Sequence, residues 1–141
     1  MEDLAEIEPR FGTMEHARTL SEELDRRGMS LWLDMVYNHV GYDTPLVAEQ
    51  PDWFHHRGDI LDWNDPVQVV THDVHGLPDL AQENEEVYAH LRDASKVWLD
   101  AMDPDGFRVD AVRHLPEGFL ARLGDEMRAA RPGFELSLIH I

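Results

Sequence analysis

The stretch DGFRVDAVRH, residues 105–114, has the pattern of a short β-strand with charge on one side. Side chains two residues apart in a strand point to the same face, so Arg108 and Asp110 share a face. The apolar side chains lie on the other face: Phe107, Val109 and Ala111. Since an unpaired charge on a covered strand is costly, the pair indicates either an exposed edge strand or a functional site.

A second apolar run, LWLDMVY (residues 31–37), also has the character of a strand and also carries a charge. Asp34 lies inside it, and Asn38 and His39 follow directly after it. A run this apolar is typical of a parallel strand covered on both faces. Polar groups that collect at the carboxyl ends of parallel strands are typical of α/β active sites.

The rest of the chain predicts helices between these strands. One helix follows Thr13, which can cap it, and stops before Gly28. Asn84 starts a second helix and Pro116 opens a third, which leads to a last apolar run at residues 134–141. Helices on both sides of the DGFRVDAVRH strand argue against an exposed edge. The βα repetition predicts a parallel sheet, but it leaves an open doubly wound sheet and a piece of a (β/α)8 barrel equally supported.

Gly41 to Gln82 is a polar segment without sustained periodicity, too long for a simple connector. It predicts a functional loop or a small inserted subdomain. Three aromatic side chains are expected to form a small core there: Trp53, Phe54 and Trp63. The segment also carries these histidines: His55, His56, His72 and His75. They are predicted to be solvated, because no helix supports the spacing that a transition-metal site needs.

The composition excludes several classes of function. A chain of 141 residues suffices for one domain with a core, and its net charge of -17 would repel a phosphate backbone, so no nucleic-acid partner is predicted. The absence of cysteine excludes disulfides and thiolate metal sites. No stretch approaches the roughly 20 apolar residues of a membrane span, so no membrane partner is predicted. The compartment stays open.

Three motifs in order resemble those of a known family. GFRVDAVRH (residues 106–114) is similar to the fourth-strand motif of the α-amylase family, glycoside hydrolase family 13. DMVYNHVG (residues 34–41) is similar to its third-strand motif, and LPDL (residues 77–80) resembles the short motif near the end of its inserted domain B. The likeness runs from about Ile7, where EPRFGT resembles the loop after the second strand, to about Leu136.

The resemblance implies an α/β fold that is part of a (β/α)8 TIM barrel, with about three βα units. Residues 1–40 would form one barrel segment, residues 41–82 a domain B inserted after the third strand, and residues 83–136 a second barrel segment up to the start of the fifth strand. Residues 137–141 do not continue the family pattern. We therefore expect an internal fragment of a longer enzyme.

The same resemblance assigns catalytic roles. Asp110 matches the nucleophile that forms a covalent glycosyl-enzyme with retention of configuration, and Arg108 matches the arginine that orients and ionises it. The family's general acid is a glutamate a few residues beyond the point where this chain reads FEL, and no glutamate stands there. Glu135 lies too early in its strand to replace that acid. We therefore expect the chain alone to be inactive.

Other matched positions concern the substrate and a metal. His39 and Asp34 match a substrate-binding histidine and a supporting aspartate, while Arg113 and His114 match a pair that contacts the sugar on the leaving side. In many members a structural Ca²⁺ clamps domain B to the barrel, and the hard oxygen ligands that Ca²⁺ requires would come from the matching positions. These positions are Asn38, Asp79 and the backbone carbonyl of His114.

The implied function is hydrolysis of α-1,4-linked glucan oligosaccharides or polysaccharides by double displacement. Three alternatives remain: a transglycosylase of the same family, a non-catalytic carbohydrate-binding relative, and an unrelated α/β metal-binding domain. An intact Asp110 and Arg108 argue against pure binding, which needs no activated nucleophile. Taken singly, Asn38 and Asp79 are ordinary turn residues, but their place in the motif order favours a site.

Overall fold

The computed structural model describes residues 4–139 and alternates strands and helices in the predicted order. The strands of this part are β1 (Trp32–Val36), β2 (Gly106–Asp110) and β3 (Glu135–Leu138). Its helices are α1 (Met14–Arg26), α2 (Leu46–Glu49), α3 (Pro66–Thr71), α4 (Glu85–Met102) and α5 (Phe119–Ala130). None of these helices is both long enough and apolar enough to span a membrane.

The strands form a parallel sheet in the order β1-β2-β3. The register sets Arg108 beside Asp34 and Asp110 beside Val36. The strand that carries the charged pair is therefore central, so the edge-strand alternative is wrong. The expectation that β1 is covered on both faces is also wrong within the described residues. It is an edge strand, and its Trp32 is 39% exposed.

Helix boundaries follow local capping where a polar side chain can bond the helix amides. The hydroxyl of Thr13 accepts from the amide of His16 (3.3 Å), and the His16 ring accepts from the amide of Thr13 (3.3 Å). The side chain of Asn84 accepts from the amide of Glu86 (2.9 Å). These two predicted starts are confirmed.

The predicted start of the third helix is wrong by three residues. Pro116 does not open α5, which begins at Phe119. The residue before the helix, Gly118, has a φ of +87°, a left-handed conformation that glycine adopts without steric cost. Pro116 instead leads a turn in which its carbonyl accepts from the amide of Phe119 (3.3 Å).

The apolar core lies between one face of the sheet and helices α4 and α5. Phe107 and Val109 of β2 are fully buried there, and the Phe107 ring packs edge-on against Phe134 with centroids 4.8 Å apart. Burying side chains of this size stabilises the fold by about 1.5–3 kcal/mol each. Because the apolar side chains of β2 take the core face, Arg108 and Asp110 are directed to the opposite face.

The segment 41–82 contains the short helices α2 and α3 and several isolated bridges. One bridge pairs His39 with Asp79, just past the end of β1. Phe54 is buried and Trp53 packs against the core, as predicted. Trp63 does not join them, since it is 38% exposed. That part of the predicted aromatic core is wrong.

Candidate active site

The neighbouring strands β1 and β2 bring three charged side chains into one row. The Nη1 atom of Arg108 donates to both carboxylate oxygens of Asp34, at 2.8 Å each, and lies 3.1 Å from Oδ2 of Asp110. The hydrogen bond to Asp34, supported by the charge of Asp110, raises the pKa of Arg108. The arginine therefore stays charged and links the two carboxylates. The two-residue strand period predicts the shared face of Arg108 and Asp110, whereas the contact with Asp34 follows from the register of the sheet.

The carboxylate of Asp110 is held by two donors. Its Oδ1 accepts from the amide of Ala111 (2.9 Å), while Arg108 contacts the other oxygen. Ala111 has already left the strand and has a φ of +55°, unusual for a residue with a side chain. Its predicted place on the apolar strand face is therefore wrong. The Asp110 side chain is 28% exposed, so it is fixed in position yet open to a ligand.

His39 lies close enough to this row to interact with it electrostatically. Burial lowers the pKa of His39 and the nearby His114 lowers it further, whereas the negative charge of Asp110 raises it. The ring also lines a mainly apolar cavity of about 190 Å³ between the end of β1 and the segment 41–82. Sequence positions 39, 110 and 114 thus meet at one end of the sheet.

Arg113 and His114 connect the end of β2 to the segment 41–82. The His114 ring is buried and its Nδ1 lies 2.7 Å from the carbonyl of Val69 in α3. The guanidinium of Arg113 donates to the carbonyl of Trp63. The Trp63 ring packs edge-on against His114, with centroids 5.8 Å apart. Trp63 is therefore a neighbour of these two candidate substrate residues, which its sequence context did not indicate.

Asn38 and Asp79 meet where the two chain segments pair. The amide of Leu80 donates to the Asn38 carbonyl (2.9 Å), and the amide of Val40 donates to the Pro78 carbonyl (3.2 Å). Asn38 and Asp79 are buried, and the Oδ1 atom of each finds no hydrogen-bond partner in residues 4–139. Buried oxygens are seldom left unpaired. An amide and a carboxylate oxygen in this state fit a cation that prefers oxygen ligands, such as Ca²⁺.

Gln82 is a third buried polar side chain at this place. Its amide nitrogen donates to the carbonyls of Tyr37 (3.0 Å) and Asn38 (3.1 Å). Its Oε1, like the two oxygens above, contacts no donor in the described part of the chain. Sequence reasoning missed Gln82, because nothing in the local pattern separates it from the polar residues around it.

His55 contradicts the prediction that the histidines of this segment are solvated. Its side chain is 7% exposed, with Nδ1 2.5 Å from Oδ2 of Asp79 and Nε2 2.8 Å from Oε1 of Glu83. The hydrogen bond to Asp79 raises the pKa of His55, and burial raises the pKa of Asp79 to about 6. His56 and His75 are exposed, as predicted. Among residues 4–139 no three His, Asp or Glu side chains form a group that could hold a metal ion.

Residues 1–131 match the family model described as the catalytic domain of alpha amylase. The chain belongs to the α-amylase family. A cyclomaltodextrin glucanotransferase of Klebsiella oxytoca is 32% identical over 140 residues, which cover 85% of this chain and 21% of that enzyme. An intracellular maltogenic amylase of Bacillus subtilis strain 168 is 31% identical over 140 residues, covering 92% of this chain and 23% of that enzyme.

Solved α-amylase structures share the fold of this family member. The α-amylase of Geobacillus thermoleovorans complexed with acarbose aligns with a TM-score of 0.94 at 43% identity, over 98% of this chain and 32% of that one. An Anoxybacillus α-amylase gives a TM-score of 0.94 at 38% identity, over 98% of this chain and 31% of the other. The chain thus spans about a third or less of the length of these α-amylase relatives.

Proposed function

We propose that this chain carries the nucleophile side of the active site of a retaining, α-glucan-active enzyme. The observation that supports this most directly is the arginine shared between Asp34 and Asp110 on one face of two parallel strands, with Asp110 at the carboxyl end of β2. His39 lies within electrostatic reach of the same carboxylate. A carboxylate fixed by two donors, beside an imidazole and partly exposed, suits attack on a sugar.

The proposed reaction is a double displacement at an α-1,4-glucosidic bond. The carboxylate of Asp110 attacks the anomeric carbon and forms a covalent glycosyl-enzyme as the bond from that carbon to the glycosidic oxygen breaks. The departing oxygen takes a proton from the second carboxyl group that such a site requires. Arg108 contacts Oδ2 of this carboxylate (3.1 Å) and restricts its rotation. Water or a second sugar then releases the intermediate, with overall retention of configuration. His39, Arg113 and His114 are assigned to the sugars on either side of the bond.

The architecture we propose follows from this assignment. Strands β1, β2 and β3 would be the third, fourth and fifth strands of a (β/α)8 barrel, and residues 41–82 would be its domain B. Parallel pairing in chain order, with a helix between β2 and β3, supports it. Transglycosylation is the second candidate, because the relatives include a cyclomaltodextrin glucanotransferase as well as a maltogenic amylase.

We propose that the isolated chain does not hydrolyse glucan, for lack of the general acid. Retaining glycosidases need a second carboxyl group about 5 Å from the nucleophile. Glu135 pairs beside Gly106, at the opposite end of the sheet from Asp110. The amide of Ile139 donates to the carbonyl of Val109 (3.0 Å), so an isoleucine follows β3 on the side where the acid is needed. Starch hydrolysis by the purified chain, abolished by Asp110→Asn, would contradict this.

The proposed cofactor is a structural Ca²⁺ held by Asn38, Asp79 and the backbone carbonyl of His114. The unpaired Oδ1 atoms of Asn38 and Asp79 support the assignment, because a buried oxygen without a donor is costly and a cation that prefers oxygen ligands can satisfy it. When bound, the ion would neutralise Asp79 and fasten the segment 41–82 to the end of the sheet. The oxygens of the chain do the binding, and no chemical step passes through the ion.

Titration of the ¹⁵N-labelled chain with maltoheptaose, followed by NMR, tests the sugar site. We expect amide shifts at His39, Asp110 and His114, and none with cellopentaose, whose glucose units are β-linked. His39→Ala should weaken the response, whereas His56→Ala, a change at an exposed histidine elsewhere in the segment, should not. Shifts confined to other parts of the chain, or equal responses to both sugars, would contradict the proposal.

A further inference from the structure

His55 is held between two carboxylates. One belongs to Asp79, in the segment 41–82, and the other to Glu83, just before α4. The ring Nδ1 lies 2.5 Å from Oδ2 of Asp79, and the ring Nε2 lies 2.8 Å from Oε1 of Glu83. The ring is 7% exposed, whereas Glu83 is 62% exposed. Since a carboxylate accepts hydrogen bonds, both contacts are N–H donations when the ring is protonated and carries a hydrogen on each nitrogen. The imidazole is thus fixed from both ends.

The two oxygens of Asp79 consequently have different surroundings. Oδ2 is occupied by His55, while Oδ1 is buried and contacts no donor in the described residues. The backbone on either side is also restrained, because the Asp79 amide donates to Asp73 Oδ1 (3.0 Å) and its carbonyl accepts from the His55 amide (3.2 Å). The carboxylate therefore cannot turn its free oxygen away without losing the bond to the ring.

We propose that His55 is the positioning residue of the cation site and holds Asp79 through Oδ2, so that Oδ1 stays free for a cation. Glu83 anchors the far side of the ring and keeps its Nδ1 directed at Asp79. This inference rests on the proposed function, of which the cation is a part. Partners that orient a metal-binding carboxylate typically change metal affinity by about 10- to 100-fold when they are removed.

Two substitutions of similar size separate positioning from general support of the fold. In His55→Asn the amide nitrogen takes the place of Nδ1 and retains the donor to Asp79. In His55→Gln the amide nitrogen reaches the place of Nε2, so the contact with Glu83 is retained and the donor to Asp79 is lost. His56→Asn is the matched control, because His56 is the neighbouring histidine and contacts only a carbonyl, that of Pro51, through its ring nitrogen (2.7 Å).

The measurement is isothermal titration of each variant of the 141-residue chain with CaCl2, after removal of bound ions with EGTA. We expect His55→Asn and His56→Asn to bind Ca²⁺ within about threefold of the unsubstituted chain. His55→Gln should bind about 10- to 100-fold more weakly. Because this change also removes a donor from the buried carboxylate of Asp79, it should lower the unfolding temperature in EGTA. The titrations are therefore carried out at a temperature at which circular dichroism shows every variant folded.

Equal losses for His55→Asn and His55→Gln, or no loss for either, would overturn the positioning role while leaving the cation site in place. Asn38→Ala separates the two proposals. If Asn38→Ala weakens Ca²⁺ binding and the His55 variants do not, the inference fails and the proposed calcium site stands. If the unsubstituted chain takes up no Ca²⁺, the calcium site fails and the inference fails with it, but the sugar site tested by maltoheptaose does not.

Discussion

Two polar regions lie a few residues apart in this molecule and differ in how their charges are satisfied. The charged edge consists of Asp34, Arg108 and Asp110, which are partly exposed and paired with one another. The buried junction consists of the side chains of Asn38, Asp79, Gln82 and His55, which are nearly inaccessible to solvent. Within the described residues, one side-chain oxygen of each of the first three has no hydrogen-bond partner. Both regions follow from the same two strand ends.

The difference indicates what each region needs in order to function. At the charged edge, protein partners and water satisfy the ions without a ligand, so the carboxylate is stable and available for chemistry. At the buried junction, Asn38, Asp79 and Gln82 keep side-chain oxygens without a partner in the described residues, and an unsatisfied buried oxygen raises the free energy of the folded chain. We infer that the edge serves the reaction and the junction serves the attachment of the segment 41–82. The following predictions test that division.

The largest effect on stability is expected from Asp79→Ala. The substitution leaves His55 without its partner and Asn38 without a cation, and removing one member of a buried pair costs about 3–5 kcal/mol. Urea denaturation followed by circular dichroism measures the change. Asp43→Ala, at an exposed aspartate of the same segment, is the control. Similar losses of unfolding free energy for the two variants would show that the buried junction contributes no more to stability than an exposed aspartate does.

Removal of the cation is expected to have the next largest effect. A ligand at 100 times its dissociation constant stabilises the folded state by about 2.7 kcal/mol, so EGTA should lower the free energy of unfolding by about that amount. The comparison is a pair of urea titrations, in saturating CaCl2 and in EGTA. The urea curves of Asp79→Ala should be the same in CaCl2 and in EGTA. Superimposable curves for the unsubstituted chain would rule out a stabilising cation.

Arg108→Met is expected to have a smaller effect, although it removes a residue with two ion pairs. Because the side chains of the charged edge are open to water, solvent replaces much of what the arginine provides. We expect a fall in unfolding temperature smaller than that caused by EGTA, measured by differential scanning calorimetry. The repulsion left between Asp34 and Asp110 should weaken as NaCl is added. If Arg108→Met lowered the unfolding temperature more than Asp79→Ala does, the charged edge would contribute more to stability than the buried junction, contrary to our account.

The smallest effect is expected from Asp110→Asn. The substitution keeps the shape of the side chain and the oxygen that accepts from Ala111, so the unfolding temperature should stay within experimental scatter. The same change at the junction, Asp79→Asn, should lower it clearly, because it removes the charge that faces His55 and the cation. Thermal unfolding of the two variants side by side gives the sharpest form of the contrast. Equal shifts would contradict it.

The sheet and its charged edge were predictable because they depend on short-range periodicity. Two-residue alternation is sufficient to place Arg108 and Asp110 on one face. The side chains of Thr13 and Asn84 cap helices by accepting from backbone amides three and two residues further along the chain. The start of α5 was missed because the left-handed backbone at Gly118 decides it, and the neighbouring Pro116 gave a stronger local signal.

The buried junction was less predictable, because burial and pairing there depend on contacts far apart in sequence. His55 and Asp79 are 24 positions apart, and a histidine in a polar segment has the same local pattern whether it is solvated or enclosed. The covered character expected of β1 was wrong for a related reason. An apolar run predicts a strand that can be covered, whereas its actual exposure depends on which neighbours pack against it.

A crystal structure of the chain grown with CaCl2 and maltoheptaose would test the division between edge and junction most directly. We predict an ion at the junction, about 2.3–2.6 Å from Oδ1 of both Asn38 and Asp79, and a glucose unit against His39 and Asp110 at the edge. Water or no density between the two Oδ1 atoms, or a sugar bound away from Asp110, would contradict our assignment of the two regions.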